Sequence, residues 1–195
     1  MPRDYLLLMR HGQTDWNLQN RTVGSIDEPM NETGRKQVRE AARRLKENGL
    51  LLDHIATSTL WRAAAAAMII GEELRVPIYA DSRFRERKVG ELEGKEETPE
   101  TDSQLLRPDY VVDGMEPYEE FEERVKNALL DRTIRCLHRN ILVVTHGLTL
   151  LKIIQLVHGW PLEQIMSYAT PGNAEIISFG VGEPCKCGNW FYERA

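Results

Sequence analysis

Cysteine is scarce in this chain of 195 residues: Cys136, Cys185 and Cys187 are odd in number, and two of them are separated only by Lys186. Such a set does not build a secreted disulfide framework, and a lone Cys-x-Cys reads as surface loop rather than as a zinc site. Long apolar runs are missing as well. The longest, Ala63 to Ile70, falls far short of the ~20 residues a membrane span needs. The opening Met1-Pro2-Arg3-Asp4-Tyr5 lacks a basic segment followed by an apolar one, so it does not read as a signal peptide, and the chain is expected to be cytoplasmic. Nor is there an excess of cations: Lys and Arg total 25 against 30 Asp and Glu, a net charge of −5. Nucleic-acid backbones are bound by clustered cations, so a general nucleic-acid binder is excluded, and any anion must be held by a local concentration of positive groups. What is present, 42% hydrophobic and 28% charged residues, is ordinary for a globular chain and too apolar for a disordered one. The length fits one domain over residues 1–195 that buries roughly 70% of its unfolded surface without a staple.

Strand-like and helix-like segments alternate. Tyr5 to Met9 is a short apolar run that predicts a buried strand, and Ile141 to Thr145 predicts the clearest one. Ile55 to Ser58 and Ala174 to Phe179 read as further strands, with an edge strand near Trp190-Phe191-Tyr192. Between them, Val38, Ala41, Ala42 and Leu45 have helical spacing after Asn31 to Thr33, and Asn48-Gly49 supplies a stop. Leu60 to Leu74 is alanine-rich, and Pro77 forbids its continuation. Tyr118 to Leu137 puts Phe121, Val125 and Leu129 on one face, and Leu148 to Val157 gives another helix. Alternation of this kind predicts an α/β fold with a largely parallel sheet and right-handed crossovers, with ligands at the carboxyl ends of the strands. The stretch from Arg83 to Pro117, rich in glycine, proline and charge, reads as an irregular, lid-like excursion above the sheet.

Two segments share one design. Leu7-Leu8-Met9-Arg10-His11-Gly12 and Leu142-Val143-Val144-Thr145-His146-Gly147 each deliver a histidine at a strand end, followed by a glycine that permits close backbone approach. One such histidine is usually a satisfied structural group; two at equivalent strand ends, one beside an arginine, point to a site. Metal ligation fits poorly, because Arg10 adjoins His11 and no ligand spacing of the usual kinds lies nearby. A fixed cation beside an imidazole suits an anion. Arg62, at the passage from strand to helix, adds a guanidinium fork where helix amides and dipole also favour phosphate. A phosphate dianion in a water-poor pocket needs about two compensating charges, and Arg10 and Arg62 would supply them.

The ordered set Arg10-His11-Gly12-Gln13-Thr14, Asn17, Arg21, Gly24, Asp27, Met30 to Gly34, Ser58 to Ala63, Arg85 to Gly94, Thr145-His146-Gly147 and Asn173-Ala174 resembles the histidine phosphatase superfamily, also called phosphoglycerate mutase-like. The likeness runs through nearly the whole chain. It implies a three-layer α/β/α sandwich with a mostly parallel central sheet. It also implies catalytic residues: His11 as the nucleophile that becomes a phosphohistidine, Glu86 as proton donor and then base, and Arg10, Arg62 and His146 as the cage of the phosphoryl oxygens. Asn17 would donate to phosphate, and Val23, Gly24 and Gly147 would line the pocket with their backbone. A carboxyl beside a phosphoryl group is helped to start as an acid by like-charge repulsion. Val23 stands where many mutases have threonine, and Val89 where they have tyrosine.

Phosphatase and mutase share the phosphohistidine and differ in whether water is admitted. From Lys95 to Glu116 the excursion has only Lys95 and Arg107 as cations against seven carboxylates, a poor clamp for a bisphosphoglycerate. The expectation is a metal-free phosphomonoesterase acting on a small phosphorylated metabolite. A cofactor-dependent phosphoglycerate mutase, which alone would need 2,3-bisphosphoglycerate, is the alternative; a non-catalytic phospho-ligand module and a protein phosphohistidine phosphatase are further ones. Trp16, Phe84, Tyr110, Met115 and Tyr118 are candidates for a specificity pocket. No membrane or nucleic-acid partner is expected; a homodimer is compatible with the sequence and not required by it.

Overall fold

A computed structural model describes residues 5–98, 104–135, 140–181 and 192–194. Its sheet has six strands in the order β3-β2-β4-β1-β5-β6: β1 (Tyr5–Arg10), β2 (His54–Thr57), β3 (Ile78–Ala80), β4 (Ile141–Thr145), β5 (Ile176–Val181) and β6 (Tyr192–Arg194). β3, β2, β4 and β1 pair in parallel, while β5 runs antiparallel to β1 and β6 antiparallel to β5. The helices are α1 (Asp15–Leu18), α2 (Glu32–Glu47), α3 (Trp61–Leu74), α4 (Tyr118–Arg135), α5 (Gly147–His158) and α6 (Leu162–Met166).

The central strands are apolar on both faces because helices cover both. Side chains alternate across a strand. Leu6, Leu8, Ile141 and Val143 pack with Phe121 and Val125 of α4 and Leu150 and Ile154 of α5. Their neighbours Leu7, Met9, Leu142 and Val144 pack on the other face with Val38 and Ala42 of α2 and Ala66 and Ile70 of α3. This is the expected three-layer α/β/α arrangement with a mostly parallel sheet. α2 begins where Asn31 accepts a hydrogen bond from the Gly34 N–H, and α3 ends at Arg75 in the left-handed region.

Three short elements, α1, β3 and α6, are additions to the sequence reading; none is long enough to show a period. β5 starts at Ile176 rather than Ala174, because Ala174 turns with φ 58° and its N–H is taken by the Arg10 and His11 carbonyls. Between Arg83 and Pro117 the described residues include two short 3₁₀ turns, Ser82–Phe84 and Gly90–Leu92, and isolated bridges of Val89 to Met115 and of Glu96 to Arg21. Cys136, Cys185, Cys187, Trp190 and Phe191 lie outside the described residues. Among those described, no helix is long and apolar enough to cross a membrane.

Candidate active site

The parallel pairing of β1 with β4 puts Arg10 opposite Thr145, so the next residue of each strand, His11 and His146, leaves the sheet at the same rim. Their ring centroids are 5.2 Å apart and both side chains are buried. The glycine after His11 is needed for close approach: a Cβ on Gly12 would stand 2.3 Å from the Gly34 carbonyl oxygen of α2.

His11 has two ring partners. Nδ1 lies 2.8 Å from the Gly12 carbonyl oxygen, and Nε2 lies 3.1 Å from Nε of Arg62. A guanidinium nitrogen only donates, so Nε2 is the acceptor and carries the lone pair, while Nδ1–H donates to Gly12. Burial first, then the charges of Arg62 and Arg10, hold His11 well below the ordinary histidine range. The imidazole is therefore neutral at physiological pH.

Arg62 is held on three sides. Besides His11 it donates to the carbonyls of Ile26 (2.6 Å) and Gly24 (2.7 Å), which leaves two of its five N–H groups uncommitted. Burial lowers it to about 10, so it stays charged at neutral pH. At the start of α3 one amide is already in use: the Asp27 carboxylate accepts from the Trp61 N–H at 2.6 Å. Among the described residues Arg10 donates once, to the Pro171 carbonyl, and its buried Nε has no partner. His146 is bound through Nε2 to the Ser58 hydroxyl at 2.7 Å, and among the described residues its buried Nδ1 has no partner. Burial, then Arg62, keeps His146 neutral as well.

The start of α5 also holds a carboxylate. The N–H groups of Leu148 and Thr149 and the Thr149 hydroxyl, each at 3.0 Å, donate to the Glu86 carboxylate, and the Arg87 N–H adds a fourth bond. Arg124 of α4 fastens the segment below it, donating to the carbonyls of Arg83, Arg85 and Glu86 and to the Glu116 carboxylate. Glu93, the nearby competitor in sequence, is committed to the Ser25 N–H and hydroxyl.

Arg10, His11, Asn17, Val23, Gly24, Arg62, Glu86 and Gly147 all line one cavity of about 90 Å³; His146 is not among the lining residues and stands buried beside His11. Asn17 presents its amide nitrogen, because its Oδ1 is occupied by the Thr14 N–H and by Asn173. The five aromatic and methionine candidates are corrected: Trp16, Phe84, Tyr110, Met115 and Tyr118 do not line this cavity. Phe84 is buried in the core with Phe121, Trp16 lies under the Arg21 guanidinium, and Tyr118 faces Lys152. The outer wall is instead made by Thr22, Val89, Leu105, Leu148 and Thr170, with Arg21 and Glu97.

Several supporting residues escaped the sequence reading. Thr149 and Arg124, which hold Glu86, carried one visible signal, a polar group beside the apolar positions of a helix. Leu105 and Thr170 carried none, since their place depends on the path of loops.

The histidine phosphatase superfamily (branch 1) profile matches residues 6–185. The chain is 36% identical over 152 residues to the uncharacterized phosphatase PhoE of Bacillus subtilis, covering 78% of this chain and 76% of that one. It is 31% identical over 190 residues to a 2,3-bisphosphoglycerate-dependent phosphoglycerate mutase of Nitrobacter winogradskyi, covering 91% and 92%. Among solved structures, Bacillus stearothermophilus YhfR has a TM-score of 0.82 at 28% identity over 98% of this chain and 96% of that one. A mycobacterial glucosyl-3-phosphoglycerate phosphatase complexed with VO3 shares the fold, with a TM-score of 0.83 at 23% identity over 100% and 99%. Strand order, paired histidines and the extent of the match together lead to one conclusion: the chain belongs to the histidine phosphatase superfamily, branch 1.

Proposed function

We propose that this phosphatase-or-mutase superfamily member is a metal-independent phosphomonoesterase that hydrolyses a small phosphorylated metabolite through a phosphohistidine on His11. One observation carries the reading: Nε2 of His11 bears its lone pair in a cationic cavity, marked by the donation from Arg62. A neutral imidazole is a competent nucleophile without a base beside it. The bound phosphoryl dianion, a like charge beside Glu86, favours its protonated form. In the first step Nε2 exchanges Arg62 for phosphorus as the ester O–P bond breaks, and the leaving oxygen takes the proton of the Glu86 carboxylic acid, which becomes the carboxylate. In the second, water attacks phosphorus as the N–P bond breaks, its proton passes to Glu86, and inorganic phosphate departs. Arg10, Arg62, Asn17 and His146 stabilise the charge on the non-bridging oxygens in both steps. The donor set favours an anion over a metal, since the guanidinium groups of Arg10 and Arg62 line the cavity beside His11 and repel a cation.

The cavity is small beside the roughly 300–1,000 Å³ of sites that engulf a whole ligand; at about 90 Å³ it suits a phosphoryl group with the organic remainder at the mouth. Hydrolysis is favoured over phosphoryl retention by the balance of charge in the outer wall, where, among the described residues, Arg21 is the one cation and Glu97 the one carboxylate. Arg21 is tied to the Gly94 carbonyl, Arg107 is paired with Asp109, and neither Arg107 nor Lys95 lines the cavity. Steady-state phosphate release from p-nitrophenyl phosphate and from a panel of phosphate esters, in EDTA, tests the reading. Turnover is expected to survive chelation and to vanish in His11→Ala, and rapid quenching is expected to trap label on His11. Interconversion of 3- and 2-phosphoglycerate dependent on 2,3-bisphosphoglycerate, without phosphate release, would establish the mutase instead.

A further inference from the structure

His146 is a neutral imidazole, so one ring nitrogen donates and the other accepts, and its use as a ligand for phosphoryl oxygen depends on which. A lone pair turned to an oxyanion repels it; an N–H binds it. The choice is made at the other end of the ring. Ser58, fully buried, follows β2, and among the described residues its Oγ has two hydrogen-bond partners: the Leu60 N–H at 3.1 Å and Nε2 of His146 at 2.7 Å. The Leu60 amide can only donate, so it uses a lone pair of Oγ. The hydroxyl proton then has one acceptor in reach, Nε2 of His146.

The two assignments can be compared group by group. With the imidazole proton on Nε2, the Ser58 hydroxyl proton is stranded in the interior, and Nδ1 is left as a buried acceptor without a donor. With the proton on Nδ1, the Ser58 hydroxyl is satisfied, Nε2 is satisfied, and one unpaired group remains, the Nδ1–H. Buried polar groups without partners are costly, and the second assignment strands one where the first strands two. The remaining group is the Nδ1–H, the unpaired atom of the ring that stands beside His11.

We propose that Ser58 is a positioning residue that fixes the tautomer of His146, placing the proton on Nδ1 so that His146 is a neutral hydrogen-bond donor beside the nucleophile. Its consequence for catalysis rests on the phosphohistidine reading above; the tautomer itself does not. His11 and His146 then share one tautomer for two different reasons: a backbone carbonyl holds the Nδ1 proton of His11, and a hydroxyl caps Nε2 of His146.

The test is the nitrogen spectrum of protein labelled with ¹⁵N-histidine, free of phosphate and at neutral pH, with the His146 signals assigned by their absence in His146→Ala. The wild type and Ser58→Thr are expected to show a protonated Nδ1 and an unprotonated Nε2. In Ser58→Ala the protonated population at Nδ1 is expected to fall; Ser58→Cys, whose thiol is a weak donor, gives the same comparison should the alanine variant not fold. Turnover of p-nitrophenyl phosphate is expected to drop about ten- to a hundred-fold in kcat, approaching the loss of one oxyanion donor, with KM nearly constant and recovery in Ser58→Thr. A proton on Nε2 in the wild type overturns the proposal. So does an unchanged tautomer in Ser58→Ala, even with reduced activity, since the serine would then act by packing alone. An enzyme inactive on every phosphate ester, but with Nδ1 protonated, would defeat the phosphohistidine reading and leave the tautomer assignment standing.

Discussion

Keeping two histidines neutral in the interior makes the fold sensitive to mild acid, and the size of the effect follows from linkage. His11 and His146 are both held well below the ordinary histidine value, chiefly by burial and then by Arg62. In the unfolded chain each titrates near ~6.5. Below that value the unfolded state binds protons that the native state refuses, so stability falls as the pH drops through ~6.5 and gains nothing above it. Between about pH 7 and about pH 5.5 the loss is roughly 1.2 kcal/mol per histidine, or about 2.5 kcal/mol for the pair, provided both stay neutral in the fold. Most carboxylates titrate below this window and contribute little within it. The assay is urea unfolding followed by tryptophan fluorescence at both pH values, for the wild type, His11→Asn and His146→Asn. Comparing each variant with the wild type removes the contribution of every other group. Each asparagine variant, whatever its absolute stability, is expected to lose about 1.2 kcal/mol less on acidification than the wild type. Equal acid sensitivity in all three proteins would mean that the two imidazoles are protonated in the native state, and the nucleophile assignment would fail with them.

Further outcomes follow from single contacts. Glu86→Gln should reduce kcat on alkyl phosphates by about 10²–10⁴-fold. On p-nitrophenyl phosphate, whose leaving group needs no proton, it should give a burst of nitrophenol followed by slow turnover; the absence of a burst refutes the acid-then-base role. Arg124→Met removes the guanidinium that binds three carbonyls and Glu116, and should cost about 3 kcal/mol in urea unfolding while lowering kcat more than it raises KM. Gly12→Ala forces a methyl group to 2.3 Å from the Gly34 carbonyl oxygen, and should destabilise the fold by about 3–4 kcal/mol, read as a lower unfolding midpoint. The conformationally relaxed Gly49→Ala, where a Cβ meets nothing within 4 Å, should cost about 1 kcal/mol for its positive φ alone.

What could be seen in the sequence, and what could not, divides by the range of the interactions involved. The apolar runs at Leu6 and Ile141 and the helical spacing of Val38 to Leu45 report burial directly, so the layers and the strand ends bearing His11 and His146 were legible. The approach of those histidines required only that two strand-plus-glycine units be neighbours. β3 and α6 were not legible, because three and five residues sample too little of a period. The anion-binding roles proposed for Arg10 and Arg62 were legible from charge and position beside the strand ends, whereas the role proposed for Glu86 was legible only by likeness to a family. Nothing local distinguishes Glu86, which is held by the amides of α5, from Glu93, which is held by Ser25. The specificity candidates failed for the same reason. Phe84 and Tyr118 were chosen for being aromatic and near the excursion, yet Phe84 serves the core beside Phe121 and Tyr118 meets Lys152. Those positions depend on where Arg87 and Arg124 anchor the chain, through carbonyls more than fifteen residues away. Ser58 shows the limit most clearly. Its type and place were visible, but its role lies in the direction of one proton, which is determined only when Leu60 and His146 are both seen around the same oxygen.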